Sequence, residues 1–220
     1  MSAPSGFRVH HFDRVTSTQE AAAALPVGSV VVADEQTAGK GRLERRWETP
    51  SGSGLAATFV VQPGALLSLA AGVAAAEACA AEVRLKWPND LVLHGRKLGG
   101  ILVEVKGGRA LVGIGINLRS APEGAVAIEL DRDTLVAQIG AELLHWSRQD
   151  PAKLLDRWRQ LSETLGQRVR VTVGASVFEG VAQDIGDDGA LIVDGKRFTA
   201  GDVTHLRDAR GPAGTPPHDV

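Results

Sequence analysis

The chain has 220 residues, 44% of them hydrophobic and 23% charged, and a formal net charge of -2. That length supports one or two domains around a sizeable core, in an ordinary globular composition. The near-neutral balance argues against bulk attraction to nucleic acid, and a single cysteine, Cys79, rules out an internal disulfide and points to a reducing compartment, the cytoplasm.

The N-terminal stretch lacks the charged-then-apolar layout of a signal peptide, and an extended run covers Phe7 to Val15. Ser17 with Glu20 three residues on has the spacing of a capping box, so a short helix is expected from Thr18 to before Pro26. Ser29 to Ala33 reads as a buried strand, followed by a basic loop, and Leu55 to Gln62 as a second strand. Leu66 to Ala81 reads as a buried helix. Glu77 interrupts the apolar run from Gly64 to Ala81, and a membrane span needs about 18 or more consecutive apolar residues. Cys79 within it is expected to be inert core filler.

Short strands follow at Val83 to Lys86, Leu91 to Leu93, Ile101 to Lys106 and Ala110 to Ile114, separated by turns at His94–Lys97 and Gly107–Gly108. Helices come next over Arg132 to Trp146 and from Asp150-Pro151, the second with Leu154, Leu155, Trp158, Leu161 and Leu165 at helical spacing. From Gly166 the pattern shifts to short alternating strands, which predicts a small β-barrel over 166–208 after a first domain spanning 1–165. Residues 209–220 have no core-forming side chains and are expected to be disordered. The six histidines show no metal-ligand spacing, so no metal site is predicted, and adjacent His10 and His11 on a strand face opposite sides.

Three segments carry chemistry. Gly39-Lys40-Gly41-Arg42-Leu43-Glu44-Arg45-Arg46-Trp47 crowds four cations between glycines, a loop able to fold amides and charge around an anion. Lys86 stands at a strand end before Trp87-Pro88-Asn89-Asp90, and Lys97 follows in a turn. Gly113-Ile114-Gly115-Ile116-Asn117 ends a strand with glycines that allow close approach, and the Asn117 amide can both donate and accept, as an adenine edge requires. Each is common alone: a basic loop is usually a solvated face, and a strand-end lysine is usually solvated.

Taken in this order, they resemble the biotin–protein ligases. The matching pieces are Ser17-Thr18, Gln36-Thr37-Ala38-Gly39-Lys40-Gly41-Arg42 with Arg45 and Trp47, Lys86 to Asp90, Arg96 to Glu104, and Gly113 to Asn117. The resemblance implies an α+β fold: a mixed sheet packed with helices, as in class II synthetase-like ligases, plus a C-terminal SH3-like barrel. It also implies joining of biotin to a lysine of a biotin carboxyl carrier protein through biotinyl-AMP, with ATP and Mg2+.

By the same resemblance, Lys86 and Arg42 are catalytic. Ser17, Thr18, Gln19, Gln36, Gly39, Lys40, Gly41, Arg42, Lys86, Gly100 and Gly115 bind biotin. Arg42, Arg45, Trp47, Lys86, Asn89, Lys97 and Asn117 bind ATP or the adenylate. Gln19 stands where the family usually has Asn, Lys40 replaces an arginine, and Glu44 replaces a glycine. With no helix-turn-helix before residue 7, a ligase without repressor activity is expected, with neither nucleic-acid nor membrane partners, as a monomer or a homodimer. A lipoate-type ligase and a silent biotin- or nucleotide-binding module are the alternatives.

Overall fold

The computed structural model describes residues 6–47 and 50–206. The 209–220 tail lies outside these residues, as does the side chain of Glu44. Strands β1 (Arg8–Val15), β2 (Ser29–Gln36), β3 (Gly54–Val61), β4 (Arg84–Lys86), β5 (Asp90–Leu93), β6 (Arg96–Lys106) and β7 (Arg109–Asn117) form one mixed sheet in the order β1-β2-β3-β7-β6-β5-β4. Only β1 and β2 pair in parallel; the other pairs are antiparallel. Lys97, expected in a turn, lies inside β6, because that strand starts at Arg96 and pairs Lys97 with Val92.

The period of two along each strand divides the sheet into unlike faces. Val30, Val32, Leu55, Ala57, Phe59, Val112 and Ile114 belong to the main core. That core is shared with helices α2 (Leu67–Cys79), α3 (Arg132–Trp146) and α4 (Pro151–Leu161). Helix α2 carries buried alanines on every side and is therefore enclosed between the sheet and α3 and α4. Cys79 is buried in it, which pushes its thiol up to about 12. Within α2 the Glu77 carboxylate accepts from Trp146 Nε1 at 2.7 Å and Arg157 Nε at 2.6 Å, so the charge is paired where α2, α3 and α4 meet.

On the opposite face the alternate residues of β2, β3 and β7 form a small second cluster, Val31, Val60 and Leu111, covered by Ala22 of helix α1 (Thr18–Ala22). Beyond Leu111 the same face of β7 reads Gly113, Gly115 and Asn117, and neighbouring β6 places Gly100 opposite Gly115. Of the helices, only the first turn of α1 reaches this part among the described residues, through Gln19 above Gly113, and the bare glycines leave a floor.

The expected capping box at α1 does not close. Ser17 Oγ accepts from the Gln19 amide at 3.3 Å, while the Glu20 carboxylate turns away to Lys40 at 2.8 Å. Leu165 lies past the end of α4 but packs against the core.

The C-terminal strands are β8 (Arg168–Val173), β9 (Ser176–Ile185), β10 (Leu191–Val193), β11 (Lys196–Phe198) and β12 (Asp202–His205). They make an antiparallel sheet in the order β11-β10-β9-β8-β12. The predicted barrel is not closed: β11 and β12 are opposite edges, with no ladder between them among the described residues. Trp87 ties this sheet to the first, its indole Nε1 donating to Gly189 O at 3.1 Å and its amide to Thr164 Oγ1 at 3.0 Å.

Candidate active site

The bare glycine face is the floor of a cavity of about 510 Å³, within the ordinary range for a small-molecule site. Its glycines are there for space. A Cβ on Gly113 would stand 2.7 Å from Gln19 Nε2, and one on Gly115 would enter the Trp47 indole, 2.8 Å from Cζ2. Thus Gln19 and Trp47 lie directly over the sheet backbone.

The inner wall is polar. Thr18 donates through its amide (2.8 Å) and hydroxyl (3.1 Å) to Gln36 Oε1, and Thr58 donates to Thr18 Oγ1 at 2.9 Å. Thr58 is a polar side chain in an otherwise apolar, fully buried strand, a signal that the sequence carried and that went unused above. Gln19 Nε2 donates to Leu102 O at 2.9 Å, while Gln19 Oε1 and Trp47 Nε1 are buried with no partner among the described residues. Buried polar atoms are nearly always paired. These two supply one acceptor and one donor for a ligand.

The outer wall is cationic. Lys40, Arg42, Arg45, Arg46, Lys86 and Lys97 line the cavity against two carboxylates, Asp90 and Asp202. Lys97 pairs with Asp90 at 2.6 Å and stands 6.0 Å from the Trp47 ring centre; Arg45 pairs with Asp202. Arg42 donates to Asn89 Oδ1 at 3.1 Å and to the Gly201 carbonyl at 3.3 and 3.4 Å. Burial lowers its pKa, partly offset by the charges of Asp202 and Asp90; an arginine remains cationic regardless. Lys86 lies close enough to His205 on β12 that its charge, after burial, helps depress the imidazole pKa.

Fourteen of the predicted site residues line this one cavity, from Ser17 through Gln36, Lys86 and Gly100 to Gly115. Gly39 and Asn117 do not. Gly39 lies behind the loop, where a Cβ would meet the Trp47 carbonyl and, at 2.7 Å, Gln36 Nε2. The Asn117 amide is turned to the loop beyond β7 and donates to Val126 O at 3.1 Å. The sequence reading missed Thr172, Asp202 and Thr204, which the C-terminal sheet adds to the wall. Nothing local marks them, since they reach the site only by the packing of one sheet on the other.

A polar inner wall joined to a cation-lined outer wall suits a ligand with an uncharged polar part and an anionic part. Residues 11–120 match the biotin/lipoate A/B protein ligase family, and residues 164–206 match the biotin protein ligase C terminal domain. The chain is 37% identical over 213 residues to the biotin--[acetyl-CoA-carboxylase] ligase of Mycobacterium tuberculosis, covering 82% of this chain and 80% of that one. The chain belongs to the biotin/lipoate A/B protein ligase family.

The biotin protein ligase of Aquifex aeolicus, solved in complex with biotin and ATP, superposes with a TM-score of 0.77 at 26% identity, over 91% of this chain and 99% of that one. The Leishmania major biotin protein ligase, in complex with biotinyl-5-AMP, gives a TM-score of 0.65 at 26% identity, over 91% and 98%. Among the described residues no helix is long and apolar enough to cross a membrane.

Proposed function

We propose that the chain is an ATP-dependent biotin–protein ligase acting on a biotin carboxyl carrier protein in the cytoplasm. The observation that carries this reading is the convergence of Arg42 and Lys86 on one cavity whose inner wall is the Ser17–Gln19 and Gln36 polar array. In the first step the biotin carboxylate oxygen attacks the α-phosphorus of ATP. A phosphorus–oxygen bond forms, the bond to pyrophosphate breaks, and biotinyl-AMP remains. Both reactants are anions, so fixed cations that lower their mutual repulsion and stabilise the developing charge are the lever available to the protein. Arg42 and Lys86 take that part, Arg45 and Lys97 hold phosphate, and Trp47 flanks the adenine.

In the second step the neutral amine of a carrier lysine attacks the acyl carbon, an amide forms and AMP leaves. The Ser17–Gln19 turn, Gln36 and the loop amides from Lys40 to Arg42 grip biotin, and Gly100 and Gly115 give it room. Magnesium accompanies ATP as counter-ion to its phosphates. The chain offers it no cage of its own: the described residues hold no group of three or more His, Cys, Asp or Glu side chains, and Asp90 and Asp202 each face a cation. Residues 1–165 form the catalytic unit, and the unit from Gly166 completes the chamber wall through Asp202 and Thr204.

The test is pyrophosphate release and adenylate formation with biotin and lipoate in competition, followed by transfer to a biotin carrier domain. Biotinyl-AMP and labelled carrier are expected. Preference for lipoate would move the chain to the sister activity, and folded protein forming neither adenylate would leave a binding module.

A further inference from the structure

Four of the six cations around the chamber are seated in two different ways. Lys40, Arg45 and Lys97 each rest on a carboxylate, from Glu20, Asp202 and Asp90. Among the described residues the hydrogen-bond partners of Arg42 are instead neutral, Asn89 Oδ1 and the backbone carbonyl of Gly201, and Asp202 and Asp90 act on it through their charge without a hydrogen bond. A carboxylate holds a guanidinium but cancels much of its field; a neutral acceptor fixes its direction and leaves the charge available to a ligand.

Asn89 is built to do this. Its Nδ2 donates to Ile101 O at 2.8 Å and its backbone carbonyl accepts from Ile101 N at 2.9 Å, so both ends of the residue are pinned to β6. The network also fixes which way the amide points, because the reverse orientation would set an NH₂ against the Arg42 guanidinium and an oxygen against the Ile101 carbonyl. Oxygen and nitrogen of the Asn89 side chain thus both have protein partners already.

We infer that Asn89 is a positioning residue for Arg42, and not a nucleotide contact. It holds the guanidinium over the chamber from the β4–β5 turn while the Gly201 carbonyl holds it from the C-terminal sheet. The inference rests on the ligase reading and adds to it the group that aims the charge.

A double-mutant cycle tests it. In Asn89→Ala, the rate of biotinyl-AMP formation at saturation is expected to fall ~10–100-fold, the scale of a misaimed catalytic group, with the ATP KM changed less than ~3-fold because no nucleotide contact is lost. In an Arg42→Ala background the same change should cost less than ~2-fold, since the group it serves is gone. Guanidinium ion added to Arg42→Ala should restore part of the rate when Asn89 is present and none when it is Ala, a readout that a merely structural role would not move.

Thermal melting reports folding throughout; Asn89→Ser replaces Asn89→Ala should the latter not fold. Equal losses in both backgrounds, a raised ATP KM at unchanged maximal rate, or rescue that ignores residue 89 would each overturn the assignment. Wild-type protein that forms no biotinyl-AMP would instead sink the ligase reading, so the two failures are distinguishable.

Discussion

Gly115→Ala is the sharpest probe of how the chamber is shaped. The new Cβ would lie 2.8 Å from Trp47 Cζ2 and closer still to other indole atoms, whereas carbon atoms in contact prefer about 3.5–4.0 Å. The ring must therefore retreat by about 1 Å or tilt away from the floor. Aromatic stacking on a base is worth about 1–3 kcal/mol, and each 1.4 kcal/mol is about tenfold in affinity. The ATP KM should accordingly rise roughly tenfold, within limits of about 5- and 150-fold.

Stability should change little. Gly115 is not among the positive-φ glycines, so alanine fits the backbone, and its lower unfolded-state entropy contributes about 0.4–1 kcal/mol that offsets the displaced ring. Initial rates of pyrophosphate release with ATP varied at saturating biotin give the KM, and a thermal melt gives the fold. An ATP KM within twofold of wild type in a folded variant would refute the reasoning, as would an equal effect in a Trp47→Ala background, where no ring remains to be displaced.

Lys86→Ala should slow adenylation by about 10²–10³-fold, the loss of about 3–4 kcal/mol typical of one preorganised charge. Its melting temperature should hardly move, because the lysine tops a strand end and the core there is built by its neighbours Leu85 and Trp87, which the change leaves in place; single-turnover kinetics beside a melt separate the two, and wild-type turnover would remove the assigned role. The depressed pKa of His205, from burial first and the charge of Lys86 second, makes stability pH-dependent. The unfolded imidazole takes up a proton near its ordinary value of about 6.5 before the folded one does. The contribution is therefore full above that pH and lost as pH falls through the lower folded value. Urea unfolding at neutral and mildly acidic pH should show a steeper acid loss in wild type than in His205→Gln, and parallel profiles would contradict the assignment.

Much of the site was legible because its pieces are local. Lys86 to Asp90 is a hairpin turn, the loop from Gly39 to Trp47 is one connection, and Gly113 to Asn117 is one strand end, so spacing along the chain already approximated spacing on the wall. Asn117 marks the limit of such locality: its amide, on the right strand face, donates to a neighbouring loop carbonyl and lies outside the cavity lining. Glu77 shows the other side: the sequence marks it as a charge in an apolar run, but the two donors from distant helices that pair it are visible only in the fold.

What sequence alone determined is the alternation along β7, with Val112, Ile114 and Ile116 on one face and Gly113 and Gly115 on the other. Period two sorts bulky residues to one face and glycines to the other, which forces a core on one side and a bare floor on the other. What tertiary structure decided is who reaches over that floor. Asp202, Thr204 and the Gly201 carbonyl come from more than 150 residues beyond Arg42, and no short-range rule predicts a contact whose energy depends on how two sheets settle against each other. The same packing decided that the last five strands stop short of a barrel, since closure depends on the meeting of two edges and not on any one strand's pattern.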